Sequence, residues 1–253
     1  SDVYKRQVIN EGILEIIDTS EEKSGTITTT EETTIKNQEG ATLVISGGRI
    51  ESRTTQSIYN EGEITIQGGT VSSNRYGIYS TSTGTVEVTE GTISSSYCGI
   101  YNASTGTVEV TGGTISSRGS SSSNFSSHGI YNYGEGRIEI AGGTVSGNEY
   151  GNGNGYGIYN YSRGTVEVTE GTVRGIGSSD GYGIYNGSTV TVTGGTISGN
   201  DYGIYNASTG TVEVTGGTIS SSDCGIYNDG RITIGIKKDE QISQEEPYII
   251  GKS

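Results

Sequence analysis

Residues 99–117 read GIYNASTGTVEVTGGTISS, and residues 203–221 repeat them letter for letter. This duplication constrains the fold more than any other feature of the chain. A unit of about twenty residues cannot bury an apolar face by itself, so its copies must stack on one another.

Aligned on this unit, the chain shows the same Ile at Ile58, Ile78, Ile100, Ile130, Ile158, Ile184, Ile204 and Ile226, with weaker copies starting at Val8 and Ile35. Each unit holds three short apolar stretches. The first is the GIYN segment. The second alternates strictly, as in Val108-Glu109-Val110, and the third follows a Gly turn, as in GGTIS around Ile115. Alternation at period two marks strands with one buried face. Composition alone points the other way, since 44 glycines, 29% hydrophobic residues and a net charge of −14 suit a disordered chain. Order through stacking removes that objection, because no single large core is needed.

The expected fold is therefore all-β: a parallel β-helix of about ten coils, three short strands to a coil, right-handed by the crossover rule. From the last apolar residue of the second stretch to that of the third is always five positions, as from Val110 to Ile115. Gly at the centre of that fixed corner fits a positive φ. Because Glu90 and Glu170 replace the first Gly in two coils, only the second Gly is expected to be required. The Asn that ends IYN (Asn102, Asn132, Asn160, Asn186, Asn206, Asn228) is expected at a left-handed corner, its amide bonding the next coil's.

These motifs resemble the right-handed parallel β-helix repeats of bacterial surface and secreted proteins, the pectate-lyase-like superfamily in its broad sense. The resemblance covers residues 8–236 and implies a secreted or cell-surface location. It does not choose among lyases, hydrolases, adhesins and stalks. Residues 1–7, SDVYKRQ, resemble the translation of a transposase adapter used in preparing sequencing libraries, and are expected to be a non-native leader. Residues 237–253 break the pattern and are expected to cap the helix or begin a further coil.

The acidic balance argues against nucleic acid and anionic membranes as partners, and no apolar run is long enough to insert into a bilayer. Uronate-cleaving members of the superfamily carry dense Asp clusters, which have no counterpart here. His128 is the chain's single His. No catalytic constellation, metal site or cofactor is expected, and the chain reads as a non-enzyme; the alternative is a carbohydrate-active β-helix enzyme whose acidic residues come from separate coils. Three ladders remain. Glu87, Glu109, Glu139 and Glu167 form an outward column, Tyr59 to Tyr227 form an outward stack of rings, and Cys98 and Cys224 occupy a semi-buried column with Tyr76, His128, Tyr156, Tyr182 and Tyr202. Five coils separate the two cysteines, about 24 Å, so both should be free thiols.

One irregularity points to a binding site. Between the third stretch and the next GIY the spacing is seven positions in four coils, but fifteen, thirteen and eleven in three consecutive ones (Ile115 to Ile130, Val145 to Ile158, Val173 to Ile184). Insertions at one corner of stacked coils should project together as a crest, where solenoids place binding sites. The crest carries Arg118, Phe125, His128, Glu149, Tyr150, Asn152, Arg174 and Asp180. An aromatic among amides and few charges suits a polysaccharide or host surface glycan, so the sequence reads as an adhesin-like rod. A pure spacer is the same reading without the binding.

Overall fold

The computed structural model describes residues 7–20, 24–119, 126–147, 153–177 and 180–235, and the backbone of a strand at Tyr248–Ile250. The regular elements are all strands, and they pair in parallel. The GIYN segments form a ten-stranded sheet in chain order, from Val8–Asn10 to Cys224–Asn228. The second and third segments together form a sixteen-stranded sheet. The result is a β-solenoid of about nine turns with roughly three strands per coil. Nine steps at the spacing of hydrogen-bonded strands make a rod about 43 Å long.

Away from the Gly corners each coil sits on the last in register: Ile100 lies over Ile78 and under Ile130, and Val108 lies between Val86 and Ile138. Four apolar residues per coil point inward, as Ile100, Val108, Val110 and Ile115 do, all fully buried. They join into one continuous core from Ile35 to Ile219. Each such side chain stabilises by about 1.5–3 kcal/mol relative to exposure. A one-residue slip would turn the whole set outward, which is why the alternating pattern sets the register.

At the corner between second and third segments the second Gly is left-handed in eight coils, Gly48 to Gly217, with φ between 64° and 82°. Only this second Gly takes a left-handed backbone in every such coil, while the first is confined in some coils for a steric reason. A Cβ on the first Gly of one such corner, Gly112, would run into the Thr89 carbonyl of the coil below. Where Glu90 or Glu170 stands there, the backbone passes the corner as one strand of eleven residues (Thr85–Ser95, Thr165–Gly175), as it also does at Gly68 and Gly142 (Glu63–Ser73, Arg137–Gly147), and the pairing between these strands shifts register at the Glu.

The Asn column also differs from expectation in backbone. Among the described residues the single non-Gly position with positive φ is Ser82 (54°), so no Asn is left-handed. The Asn instead ends its strand with the side chain turned inward, and Asn37, Asn60, Asn132, Asn160, Asn186 and Asn206 are fully buried. The expected amide ladder forms. Asn102 donates to Asn132 (3.1 Å), Asn132 to Asn160 (3.0 Å), Asn160 to Asn186 (3.0 Å), Asn186 to Asn206 (2.8 Å) and Asn206 to Asn228 (2.7 Å). Beyond the regular coils, the backbone at Tyr248–Ile250 pairs in parallel with Thr218–Ser220 and adds a strand to the end of the larger sheet.

Candidate functional site

The three long spacings open from one corner. There the GIY strands begin one residue earlier than in neighbouring coils, at Ser127, Gly155 and Gly181. The feet of the insertions bond directly from coil to coil: Ser127 N–H to the Asn154 carbonyl (2.9 Å), Gly155 N–H to the Asp180 carbonyl (2.8 Å) and Ile176 N–H to the Gly147 carbonyl (3.0 Å). On the far side Asp201 closes the series, its carboxylate accepting from Gly181 N–H at 2.6 Å. The insertions therefore leave the rod side by side. Phe125, Glu149, Tyr150 and Asn152 lie outside the described residues.

Of the other candidates, Arg118 and Arg174 are exposed and Asp180 is half-buried. Arg118 also closes one end of a shallow groove of about 220 Å³, with Ser73, Asn74 and Ser95 along it and Arg49 with Glu51 at the other end. The serines come from the same third-strand position of successive coils, so the groove is a direct product of the repeat.

His128 is placed apart from these. Its side chain is 4% exposed and lies inside the rod's aromatic side column, stacked on Tyr156 (5.1 Å, 12° between planes) and edge-on to Tyr97 (5.4 Å). Its Nδ1 is buried with no hydrogen-bond partner. Burial pulls its pKa down to about 3, so the ring is neutral. Such a ring packs and does not meet a ligand at the loop surface. The alignment already held this signal, because His128 falls in the column of Tyr76, Cys98 and Tyr156.

The ladders resolve as follows. The Glu column is in register from Glu87 to Glu167 and continues to Thr191, Glu213 and Thr233. Its like charges are relieved where Arg137 bridges Glu139 and Glu167, and where Thr65 donates to Glu87 at 3.3 Å. Among the described residues no three His, Cys, Asp or Glu side chains converge on a point that could hold a metal ion. Both cysteines are free thiols, Cys98 buried and Cys224 half-buried. Burial pushes the Cys98 thiol pKa far up.

The long Tyr column stacks as expected over most of its length, for example Tyr79 on Tyr101 (5.0 Å, 3°) and Tyr159 on Tyr185 (4.4 Å, 5°). Tyr131 is the exception, turned edge-on between Tyr101 and Tyr159. Burial raises the pKa of Tyr79, Tyr101, Tyr131 and Tyr159, that of Tyr131 to about 12. Stacked rings cover each other's faces, so inside this column little aromatic face is left for a ligand. Tyr227 at the column's end is exposed, and the two most exposed rings lie outside the column, at Tyr133 and Tyr161, 48% and 50% exposed and stacked on each other at 5.6 Å and 4°. Sequence reading missed this pair. Its signal lay in the position after the buried Asn, which runs Glu61, Thr81, Ala103, Tyr133, Tyr161, Gly187, Ala207, Asp229.

Fold and surface together define a class, the parallel β-solenoid rod with local corner insertions. The sequence matches no protein-family model, and no curated protein or solved structure matches it either.

Proposed function

We propose that this chain is a non-catalytic, adhesin-like rod of a bacterial surface or secreted protein, in the manner of right-handed pectate-lyase-like β-helices, and that it holds polysaccharide through loops of three adjacent coils. The observation that carries this reading is the coil-to-coil bonding of the insertion feet, Ser127 to Asn154 and Gly155 to Asp180. It sets three loops in a row on a rigid support, with the exposed guanidinium groups of Arg118 and Arg174 beside them. Hydroxyl and amide groups from Ser- and Asn-rich loops, with a few charges, complement the hydroxyls of a neutral glycan. The placement of the acids supports a non-catalytic role, since the Glu column lines a flat strand face and general acid–base work needs two groups converging on one bond.

The test is a screen of the chain against a panel of neutral and acidic polysaccharides, scoring retention in affinity gels and new reducing or unsaturated ends in the same samples. Retention without new ends is expected for at least one neutral polysaccharide. New ends would make the chain a carbohydrate-active enzyme, and no retention on any polymer would leave a spacer.

A further inference from the structure

The corner after the buried Asn comes in two lengths. From Asn160 to the start of the next strand at Thr165 is five positions, and from Asn206 to Thr211 is also five. In the coil between them, Asn186 to Thr189 is only three. Two long corners thus stand proud on either side of a short one and leave a notch of about 590 Å³. Tyr161, Ser162 and Arg163 form one wall, and Ala207, Ser208 and Thr209 form the other. The floor is Gly187, Ser188 and Thr189, with Tyr185 at the back.

What sets this short corner apart is the side chain it lacks. The other short corners, at Asn10, Asn60 and Asn228, carry Glu11, Glu61 and Asp229 in the next position. Glu61 additionally pairs with Lys36 across 3.7 Å. At the Asn186 corner that position is Gly187, which is tied into the floor because its carbonyl accepts from Thr209 Oγ1 at 2.9 Å. A Cβ there would strike the Tyr161 carbonyl. Tyr161 stacks on Tyr133 of the coil before it, so one ring face is covered. The Tyr161 ring also lies 6.1 Å from the Tyr159 ring at 23°, yet it stays half-exposed and lines the notch, where the column continues in the next coil as Gly187 with no side chain. The Arg163 guanidinium is held outward by Glu135 at 2.9 Å, so its charge is already paired.

We infer that this notch is a subsite for one or two neutral pyranose units, stacked by their C–H face on Tyr161 and hydrogen-bonded by the Ser162, Ser188, Ser208 and Thr209 hydroxyls. A half-exposed aromatic ring beside hydroxyl-bearing walls is an arrangement that holds an uncharged sugar ring, which is apolar on its faces and polar at its rim. A carboxylated sugar would meet the paired Arg163–Glu135 couple in a strongly acidic chain. The inference deepens the glycan-binding reading but rests on a different corner of the rod from the crest.

The experiment is saturation-transfer NMR with cellobiose, lactose, maltose and mannobiose on the full chain and three variants. One is Tyr161→Ala. The second replaces Gly187-Ser188 by Ala-Ser-Thr-Gly, giving the short corner the length and sequence of the one at 206–211 and so filling the notch with the repeat's own design. The third has its three crest insertions cut to seven-residue spacing. Circular dichroism and thermal midpoints verify that each is folded. At least one disaccharide should receive saturation from the intact chain, with affinity falling about tenfold or more in the two notch variants. The crest variant should keep it. No transfer from the intact chain to any of the four, or transfer that survives both notch variants, would overturn the notch. Loss in the crest variant alone would move the binding to the crest, and would leave the wider glycan reading standing.

Discussion

Asn132 Nδ2 donates to Asn160 Oδ1 across 3.0 Å and to the Gly136 carbonyl across 2.8 Å, so one buried amide ties its own corner and the next coil together. Its oxygen accepts in turn from Asn102 at 3.1 Å. Asn132→Ala deletes these bonds and leaves the Asn102 donor without that acceptor in a dry corner. The expected cost is about 2–4 kcal/mol, read from the shift of the denaturant midpoint at unchanged slope. Ser80 is a natural break in the same column, accepting from Asn60 at 3.2 Å. Ser80→Asn should restore the ladder and add about 1 kcal/mol.

Much of this was legible in advance, and for a physical reason. Buried columns are written into the alternation of Val108, Glu109 and Val110, because a slip of one residue would expose them. The free cysteines followed from the same register. The Asn departs from its turn propensity because it belongs to the strand's buried face, where Ile100 and Asn102 share parity. His128 carried two assignments, one from loop position and one from column position, and packing chose the column. The notch at Gly187 has no residue of its own to mark it in the sequence, because it arises from a corner two residues shorter than its neighbours.

The neutral state of His128 gives the rod an acid sensitivity. Its pKa is near 6.5 in an unfolded chain and is lowered to about 3 by burial here. Between those values the unfolded state binds a proton that the folded state refuses, so stability falls as pH drops through 6.5 toward 3. At pH 5 the loss from this group is about 2 kcal/mol relative to neutral pH. His128→Tyr, which puts the column's commonest residue in its place, should remove that component. Denaturation at pH 7.5 and pH 5 in both proteins checks it: the gap between them should widen in favour of the Tyr variant on acidification, and a constant gap would contradict the burial argument.

The thiols should differ in reactivity. Cys98 is fully buried, its Sγ donating to the Ile100 carbonyl at 3.1 Å, and burial disfavours its thiolate. Cys224 is half-buried. Ellman's reagent should titrate Cys224 in the folded chain and both cysteines after denaturation. Non-reducing mass analysis should find no mass loss from an internal disulfide.

The Gly corners separate two requirements. Gly113 has φ 69°, and a Cβ there would lie 2.8 Å from the Glu90 carbonyl. Gly113→Ala should destabilise by roughly 2 kcal/mol or more, combining left-handed strain with backbone collision. Glu90→Gly, in a coil that passes the corner as continuous strand, should cost no more than about 1 kcal/mol. Thermal midpoints of the two variants should rank them in that order.

The most direct test of the rod as a carrier of binding loops compares the intact chain with the variant whose insertions at 115–130, 145–158 and 173–184 are cut to the seven-residue spacing of their neighbours. The polymer is whichever neutral polysaccharide retains the intact chain. The trimmed rod should keep its β-sheet circular dichroism and lose most of that retention, keeping only what the notch at Gly187 holds. Retention undiminished on a trimmed, folded rod would contradict the assignment of binding to the crest.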